Sequence, residues 1–233
     1  MASIYARAGA VICWLGPASA DSALALDALQ DLGTKIKRAN WKLDASKGID
    51  SISPSLNNAA LELSQDANRW IAITSFTERP YWSRRWIFQE MVSARRLLVL
   101  CGNILARSVK LPLAFLIWWQ RMTPRSLRRV LGAECASMIH VVHLYEHTLL
   151  GEAFGRCYPP TLFVLLEGLR RLNASDPRDV IFALITLAAD KLHLRLEPDY
   201  SKDYATVLKE AACSLLRGNH IQVIAYAITV NKG

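Results

Sequence analysis

The chain has 233 residues, of which 52% are hydrophobic and 21% are charged, and its 28 Lys and Arg against 20 Asp and Glu leave a net charge of +8. This composition is typical of a globular protein with a sizeable core and excludes a largely disordered chain. The longest apolar runs, at 111–119 and 181–189, have nine residues each, whereas a membrane-spanning helix needs roughly 18 or more. We therefore expect no membrane span.

The positive charge does not by itself indicate a nucleic-acid-binding protein. Such a protein gathers its basic residues on one face or along one helix. Here the arginine pairs at 84/85, 95/96, 128/129 and 170/171 are scattered, and each lies among apolar residues. We therefore expect no nucleic-acid partner.

The cysteines indicate a reducing compartment. They number five, lie far apart at positions 13, 101, 135, 157 and 213, and form no CxxC pair. Apolar neighbours are typical of reduced core cysteines, which favours the cytoplasm and gives no support to a zinc site or a redox pair. The N-terminus leaves a secretory alternative open, because Arg7, the apolar residues 8–15 and the triplet Ala18-Ser19-Ala20 imitate a signal peptide with its cleavage site.

In chain order, residues 10–15 are predicted to form a buried strand that ends at Gly16-Pro17. A helix capped by Ser19 or Asp21 follows, then a polar loop over 40–58 and helices over 59–74 and 81–94. Residues 95–101 have the length and apolar character of a second buried strand, which ends at Gly102-Asn103. The first hundred residues therefore predict a β-α-α-α-β order.

Beyond residue 105 the pattern becomes almost wholly helical. Helices are predicted over 111–119, 124–150, 162–172, 177–190 and 204–216. We place a domain boundary there, with an α/β part at 1–105 and a helical extension at 106–233. The segment Asp176-Pro177-Arg178-Asp179 is predicted to start a helix, with Asp176 at the N-cap, Pro177 at the first position and a carboxylate at the third, which explains the motif without any function.

Glu90 is the first candidate for chemistry. On a helix over 82–94, Trp86 and Ile87 flank it, so its carboxylate would lie in an apolar stripe where desolvation disfavours the charged form. Proteins prepare carboxylates in this way for acid–base work or for stabilising a cation. A purely structural alternative, in which Glu90 pairs with Arg85, Arg95 or a backbone donor, stays open.

Two other groups of residues have a structural and a functional interpretation. His140, His143 and His147 share a helix face, but no further ligand completes a metal site, and we favour a helix–helix contact. The aromatic residues Tyr81, Trp82, Trp86, Trp118 and Trp119 could stack a planar ligand, but aromatic residues at helical spacing usually form core. Neither group predicts a metal or a cofactor.

Together, six stretches resemble the heterokaryon incompatibility (HET) domain family of filamentous fungi, in the order that the family has them. They are 4–8 (IYARA), 11–16 (VICWLG), 79–90 (RPYWSRRWIFQE), 99–102 (VLCG), 176–184 (DPRDVIFAL) and 198–201 (PDYS). The family's domain normally opens with two further strands whose patterns are not in this sequence. The resemblance therefore implies a chain that lacks the first two strands of the domain.

The HET domain is in turn similar to the TIR domain, a parallel α/β fold of flavodoxin-like strand order. That similarity makes residues 10–15 the third strand and 95–101 the fourth, in a partial core without its first strands. It also aligns Trp86-Ile87-Phe88-Gln89-Glu90 with the Trp-x-x-x-Glu pattern of TIR enzymes that cleave NAD. The resemblance thus implies Glu90 as the catalytic carboxylate, Trp86 as a wall of the pocket, and Gln89 as a hydrogen-bonding neighbour of the substrate.

The function implied by the resemblance is that of a fungal effector of non-self recognition and cell death, with NAD as a possible substrate and no bound cofactor. Protein partners or self-association are expected. Two alternatives stay open: a signalling or assembly module that does no chemistry, and an inactive truncated paralogue. Loss of the first strands would weaken an enzyme pocket more than it would weaken association through helices.

Overall fold

The structure, a computed structural model, describes residues 2–38, 54–106 and 160–218. Three strands in these ranges form one mixed sheet: β1 (Val11–Trp14), β2 (Leu97–Cys101) and β3 (Ile104–Ala106), in the order β1-β2-β3. The strands are joined and flanked by helices, so the predicted α/β class is confirmed. The strands predicted over 10–15 and 95–101 correspond to β1 and β2.

β1 and β2 run parallel, with Val11 opposite Leu97 and Trp14 opposite Leu100. β3 was not predicted; it pairs antiparallel with β2 after a tight turn in which Gly102 has φ +57°. A positive φ favours glycine, which explains why the chain reverses here. Three strands, one of them antiparallel, do not establish the flavodoxin-like order, which stays a prediction.

The first half contains five α-helices in the described ranges: α1 (Ala2–Arg7), α2 (Ser22–Arg38), α3 (Pro54–Gln65), α4 (Ala67–Thr77) and α5 (Ile87–Ser93). A single helix over 59–74 was wrong. The Asp66 carboxylate accepts 3.1 Å hydrogen bonds from the backbone N–H groups of Asn68 and Arg69 and so starts a new helix. The predicted loop over 40–58 is also too long, since α3 begins at Pro54; residues 39–53 lie outside the described ranges.

The prediction of one helix over 81–94 was wrong as well. A 3-10 turn occupies Pro80–Ser83, Arg84 is extended with ψ 135°, and α5 starts only after Trp86. The reason is tertiary, because the backbone of this stretch pairs with Asn173. The Arg85 N–H donates to the Asn173 carbonyl at 2.8 Å, and the Asn173 N–H donates to the Ser83 carbonyl at 2.6 Å.

Residues 160–218 contain α6 (Leu162–Gly168), α7 (Asp179–Ile185), the short α8 (Lys191–Leu194) and α9 (Tyr204–Arg217). The helix predicted over 204–216 is confirmed, whereas those over 162–172 and 177–190 are shorter than predicted. The helices predicted over 111–119 and 124–150 lie outside the described residues. The boundary near residue 105 stays a prediction.

The core of the described residues joins both halves of the chain. The inward face of the sheet, with Cys13, Val99 and Cys101, packs in one cluster with α2, α4, α5, α6, α7 and α9. Burial of this apolar surface is the main stabilising contribution to the fold. No described helix is long and apolar enough to cross a bilayer.

Candidate functional site

Glu90 lies in the first turn of α5, where 12% of its side chain is exposed. Its Oε2 accepts a 3.0 Å hydrogen bond from the Tyr81 hydroxyl, and its Oε1 is 4.0 Å from Nη2 of Arg84. The carboxylate therefore has two polar partners that the predicted apolar stripe does not include. The chain is extended at Arg84 rather than helical, so a phenol and a guanidinium reach Glu90 that an ideal helix would point elsewhere.

Two residues near the N-terminus complete the surroundings of Glu90. Partial burial raises the pKa of the Tyr5 phenol, and the negative charge of Glu90 adds to this rise. Cys13 on β1 has no exposed surface and contacts Tyr81; burial raises the pKa of its thiol to about 12. Cys13 is therefore a neutral thiol at physiological pH, which excludes it as a thiolate nucleophile in this conformation.

The segment before Tyr81 is held by Arg79. Its Nη1 donates to the carbonyls of Leu15 at 3.0 Å and Pro17 at 2.8 Å, and its Nη2 donates to the hydroxyls of Ser19 at 2.9 Å and Ser22 at 2.8 Å. These bonds tie the loop after β1 to the 3-10 turn that carries the phenol. The position of the Tyr81 hydroxyl thus depends on residues about 60 positions earlier.

The aromatic residues next to Glu90 are mainly core. Tyr81 is 6% and Trp82 3% exposed, their rings meet edge to face at 5.2 Å, and the Trp82 indole donates to the Phe76 carbonyl at 3.0 Å. Burial raises the pKa of Tyr81 far above its usual value, so its hydroxyl is a donor at any physiological pH. The core interpretation is confirmed for these two rings; Trp118 and Trp119 lie outside the described residues.

Trp86 is the residue that precedes α5, and it is half-buried. Its indole N–H donates to Oδ2 of Asp179 at 2.9 Å, and its carbonyl accepts from the Glu90 N–H at 3.1 Å. Trp86 therefore joins Glu90 to Asp179, which lies 93 positions after Trp86 itself. The role of Trp86 as a wall of a pocket stays a prediction.

Gln89 lies on the inner side of α5 and is 1% exposed. Its amide nitrogen donates to the hydroxyl of Thr186, and its amide oxygen has no hydrogen-bond partner among the described residues. The amide is thus directed into the fold, away from the exposed side on which Arg84 lies. Contact with a substrate, as predicted for Gln89, requires the bond to Thr186 to break.

A cluster that the sequence did not reveal lies around Asp179. Its Oδ1 accepts from the Tyr200 hydroxyl at 2.6 Å, and partial burial with this bond raises the pKa of Tyr200 to about 12. Arg178 donates to the Tyr200 carbonyl at 2.6 Å and the Lys202 carbonyl at 2.9 Å, and its Nη2 is 2.7 Å from Oδ2 of Asp176. The sequence contains these polar residues in two separate short motifs, at 176–184 and 198–201. No local pattern indicates that the two motifs are in contact.

The predicted role of Asp176 as an N-cap needs correction. The helix begins at Asp179 with Arg178 as the residue before it, and the Asp176 carboxylate binds the Arg178 side chain and backbone N–H instead. The Arg178 hydrogen bond holds the pKa of Asp176 below its usual range. The motif therefore makes tertiary contacts beyond those of a helix start.

The arrangement around Glu90 suits the stabilisation of positive charge. A carboxylate oriented by a buried phenol and open to solvent on one side presents fixed negative charge to a ligand without reorganising. No group of three or more His, Cys, Asp and Glu among the described residues is placed to hold a metal ion, and His140, His143 and His147 lie outside those residues. Depressions of about 240 Å³ among α2, α3 and α4 and about 450 Å³ at residues 175–178 and Tyr204 do not include Glu90.

Residues 1–90 match the family model for the heterokaryon incompatibility protein (HET). The resemblance to the HET family is therefore supported over this segment. A Neurospora crassa relative, heterokaryon incompatibility protein 6, OR allele, is 24% identical over an alignment that covers 94% of this chain and 36% of the relative. The chain thus spans about a third of the length of that curated relative. No solved structure matches this chain.

The part of the chain that matches the HET model contains Tyr5, Cys13, Tyr81 and Arg84 and ends at Glu90 itself. Asp179 and Tyr200 lie beyond it. The surroundings of Glu90 therefore come from the matched segment, whereas the contact that holds Trp86 comes from residues 160–218.

Proposed function

We propose that this chain acts in heterokaryon incompatibility, as an effector of fungal non-self recognition and cell death that cleaves NAD through Glu90. The match of residues 1–90 to the HET model and the name of the Neurospora crassa relative support the cellular role. The observation that carries the chemical role is the Glu90 carboxylate, 12% exposed and bound by the buried Tyr81 hydroxyl. The cytoplasm, where NAD is present, is the proposed compartment.

The proposed reaction breaks the bond between the ribose C1′ and the nicotinamide nitrogen. The bonding electron pair leaves with nicotinamide, and the ribosyl centre acquires oxocarbenium-like positive charge. Glu90 stabilises that charge through its own negative charge or by accepting hydrogen bonds from the ribose hydroxyls. A water oxygen then bonds to C1′ and releases its proton to solvent, which yields ADP-ribose and nicotinamide.

Trp86 and Gln89 have different places in this proposal. The Trp86 ring forms a wall of the pocket, while its indole N–H stays on Asp179. Gln89 is the proposed hydrogen-bonding neighbour of the substrate, and it takes that role only after its amide leaves Thr186. A variant at Gln89 is therefore expected to have a smaller effect on cleavage than one at Glu90.

The test is the NAD content of a host that expresses the chain, its Glu90→Gln variant, or the control Glu78→Gln. Glu90→Gln keeps the size and an acceptor oxygen for Tyr81 but removes the charge, whereas Glu78 is exposed at the end of α4. NAD is expected to fall with the parent chain and with the control, but not with Glu90→Gln. Unchanged NAD in all three hosts at equal expression would overturn the enzymatic proposal.

A second candidate function, assembly without chemistry, is favoured by the outward face of the sheet. β1 is an edge strand of the described sheet, and Ile12 and Trp14 on its outward face are 54% and 58% exposed. Parallel strands are normally covered on both faces, and an unprotected apolar edge strand pairs readily with other chains. The proposed partner is another protein or a second copy of this chain.

Self-association is tested by light scattering of the purified chain over a range of concentrations. The parent is expected to form dimers or larger species at micromolar concentration, and Trp14→Lys is expected to shift it towards monomer. Leu192→Lys, at a side chain that is 81% exposed on α8, is the control and should leave the distribution unchanged. A parent chain that stays monomeric would exclude self-association through this edge.

A further inference from the structure

The start of α5 is joined to the second half of the chain by a short series of hydrogen bonds. The Glu90 N–H donates to the Trp86 carbonyl at 3.1 Å, and the Trp86 indole N–H donates to Oδ2 of Asp179 at 2.9 Å. One backbone bond and one side-chain bond therefore separate Glu90 from Asp179. Trp86 therefore accepts the first hydrogen bond of the helix turn that carries Glu90, while its side chain is anchored to Asp179.

Asp179 is itself held from a second direction. Its Oδ1 accepts the Tyr200 hydroxyl at 2.6 Å, and Tyr200 packs edge to face on Phe182 at 5.0 Å. Arg178 then binds the Tyr200 carbonyl at 2.6 Å. A carboxylate that uses each oxygen for a different donor has one preferred orientation, and charged acceptors make stronger hydrogen bonds than neutral ones.

The rest of the contact between the two halves does not replace this bond. Asn173 pairs with the backbone of Ser83 and Arg85, which lie before Trp86. The Arg85 guanidinium also donates to the Leu172 carbonyl at 3.0 Å, and Gln89 binds Thr186 from inside the core. These contacts hold the path of the chain on either side of Trp86. Among the described residues, the hydrogen bond that orients the indole is the one that its N–H donates to Asp179.

We infer that Asp179 is a positioning residue, which orients Trp86 and through it the turn of α5 that presents the Glu90 carboxylate. The inference rests on the proposed role of Glu90 and assigns to that site a required contact from outside the segment that matches the HET model. Residues 160–218 are then part of the functional unit. A ligand or partner that displaces Tyr200 from Asp179 would act on Glu90 through the same bonds.

The test compares Asp179→Ala with Asp179→Asn and with the control Asp203→Ala. Asp203→Ala also removes a carboxylate that accepts a hydrogen bond, here from the Thr206 N–H at 2.7 Å, but that carboxylate caps α9. Two local readouts are measured: amide hydrogen exchange over 87–93 and the carboxyl carbon resonance of Glu90, assigned with Glu90→Gln. Neither readout requires that the chain cleave NAD.

Asp179→Ala is expected to speed amide exchange in α5 by about tenfold, because the loss of one hydrogen bond to a charged acceptor makes local opening easier. It is also expected to shift the Glu90 resonance. Asp179→Asn is expected to keep the exchange rate of α5 and the Glu90 resonance close to those of the parent, because its amide oxygen still accepts from the indole. Asp203→Ala should change neither. If Asp179→Ala does not fold, Tyr200→Phe keeps the ring on Phe182, removes the hydroxyl, and should give a smaller change in the same direction.

An Asp179→Ala protein whose α5 exchange and Glu90 resonance match those of the parent would overturn the inference, as would changes of equal size in Asp203→Ala. The enzymatic proposal is tested separately, by the NAD content of the host. Altered exchange with no NAD cleavage by the parent chain would leave Asp179 a positioning residue and remove only the proposed reaction.

Discussion

The Tyr81 hydroxyl donates a 3.0 Å hydrogen bond to Oε2 of Glu90, although Tyr81 is 6% exposed and Glu90 faces solvent on one side. The bond connects the buried core to the candidate carboxylate. On its inner side the same phenol contacts the Cys13 thiol, so a row of three polar side chains runs from β1 to α5. Buried polar groups of this kind are stable only while each has its partner.

Tyr81→Phe removes that donor without changing the shape of the ring. The free energy of unfolding is expected to fall by roughly 1–3 kcal/mol, because the partly buried Glu90 carboxylate loses its closest hydrogen bond. Urea denaturation followed by circular dichroism measures the change. Tyr204→Phe, at a phenol that is 37% exposed on α9, is the control, and an equal loss in both variants would contradict a special role for Tyr81.

Arg79→Ala removes four donors from the loop that follows β1. The expected loss of stability is about 2 kcal/mol or more, since hydrogen bonds from a charged group are stronger than neutral ones. Arg79→Lys keeps the charge but cannot reproduce the two-sided geometry of the guanidinium, so we expect an intermediate loss. Thermal denaturation of the parent and the two variants measures these losses. An Arg79→Lys variant as stable as the parent would show that the positive charge alone is sufficient to hold the loop.

Gly102→Ala places a Cβ where the chain has no room for one. A Cβ at Gly102 would lie 2.8 Å from the backbone nitrogen and Cβ of Ala18, and the residue has φ +57°. Strain and overpacking together are expected to cost roughly 1–3 kcal/mol. Gly9→Ala, where nothing lies within 4 Å, is the control and should change the melting temperature little.

The Cys13 thiol predicts a loss of stability at alkaline pH. Burial raises its folded pKa from 9.0 to about 12, so between these values the folded chain keeps a proton that the unfolded chain has released. The free energy of unfolding therefore falls as pH rises through this window, by up to about 1.4 kcal/mol per pH unit for one group. Below pH 9 the contribution of Cys13 to stability is constant.

Urea denaturation at pH 8 to 10.5 measures this slope in the parent, in Cys13→Ala and in the control Cys213→Ala, whose side chain is exposed. Cys13→Ala lowers stability at every pH through the cavity that it leaves, so the comparison concerns the pH dependence alone. Its slope is expected to be shallower than the parent's. A parent-like slope in Cys13→Ala, or a shallower one in Cys213→Ala, would count against burial of the thiol as the cause.

Local pattern was sufficient for much of the fold. The strands at Val11–Trp14 and Leu97–Cys101 are short apolar runs that end at glycines, and α9 has the spacing of an amphipathic helix. These signals are local because strand and helix periodicity depend on neighbouring residues. The resemblance to the HET family was also readable from short motifs, and it covers the segment that ends at Glu90.

Tertiary structure decided what surrounds Glu90. The sequence predicted a continuous helix through residues 84–86, but pairing with Asn173 extends the backbone there and brings Tyr81 and Arg84 to the carboxylate. From the sequence, Asp179 is an ordinary residue at the start of a helix, and only the folded structure shows that it binds the Trp86 indole. Side-chain hydrogen bonds between residues 93 positions apart leave no periodicity in the chain, because their energy depends on distances that exist only after folding.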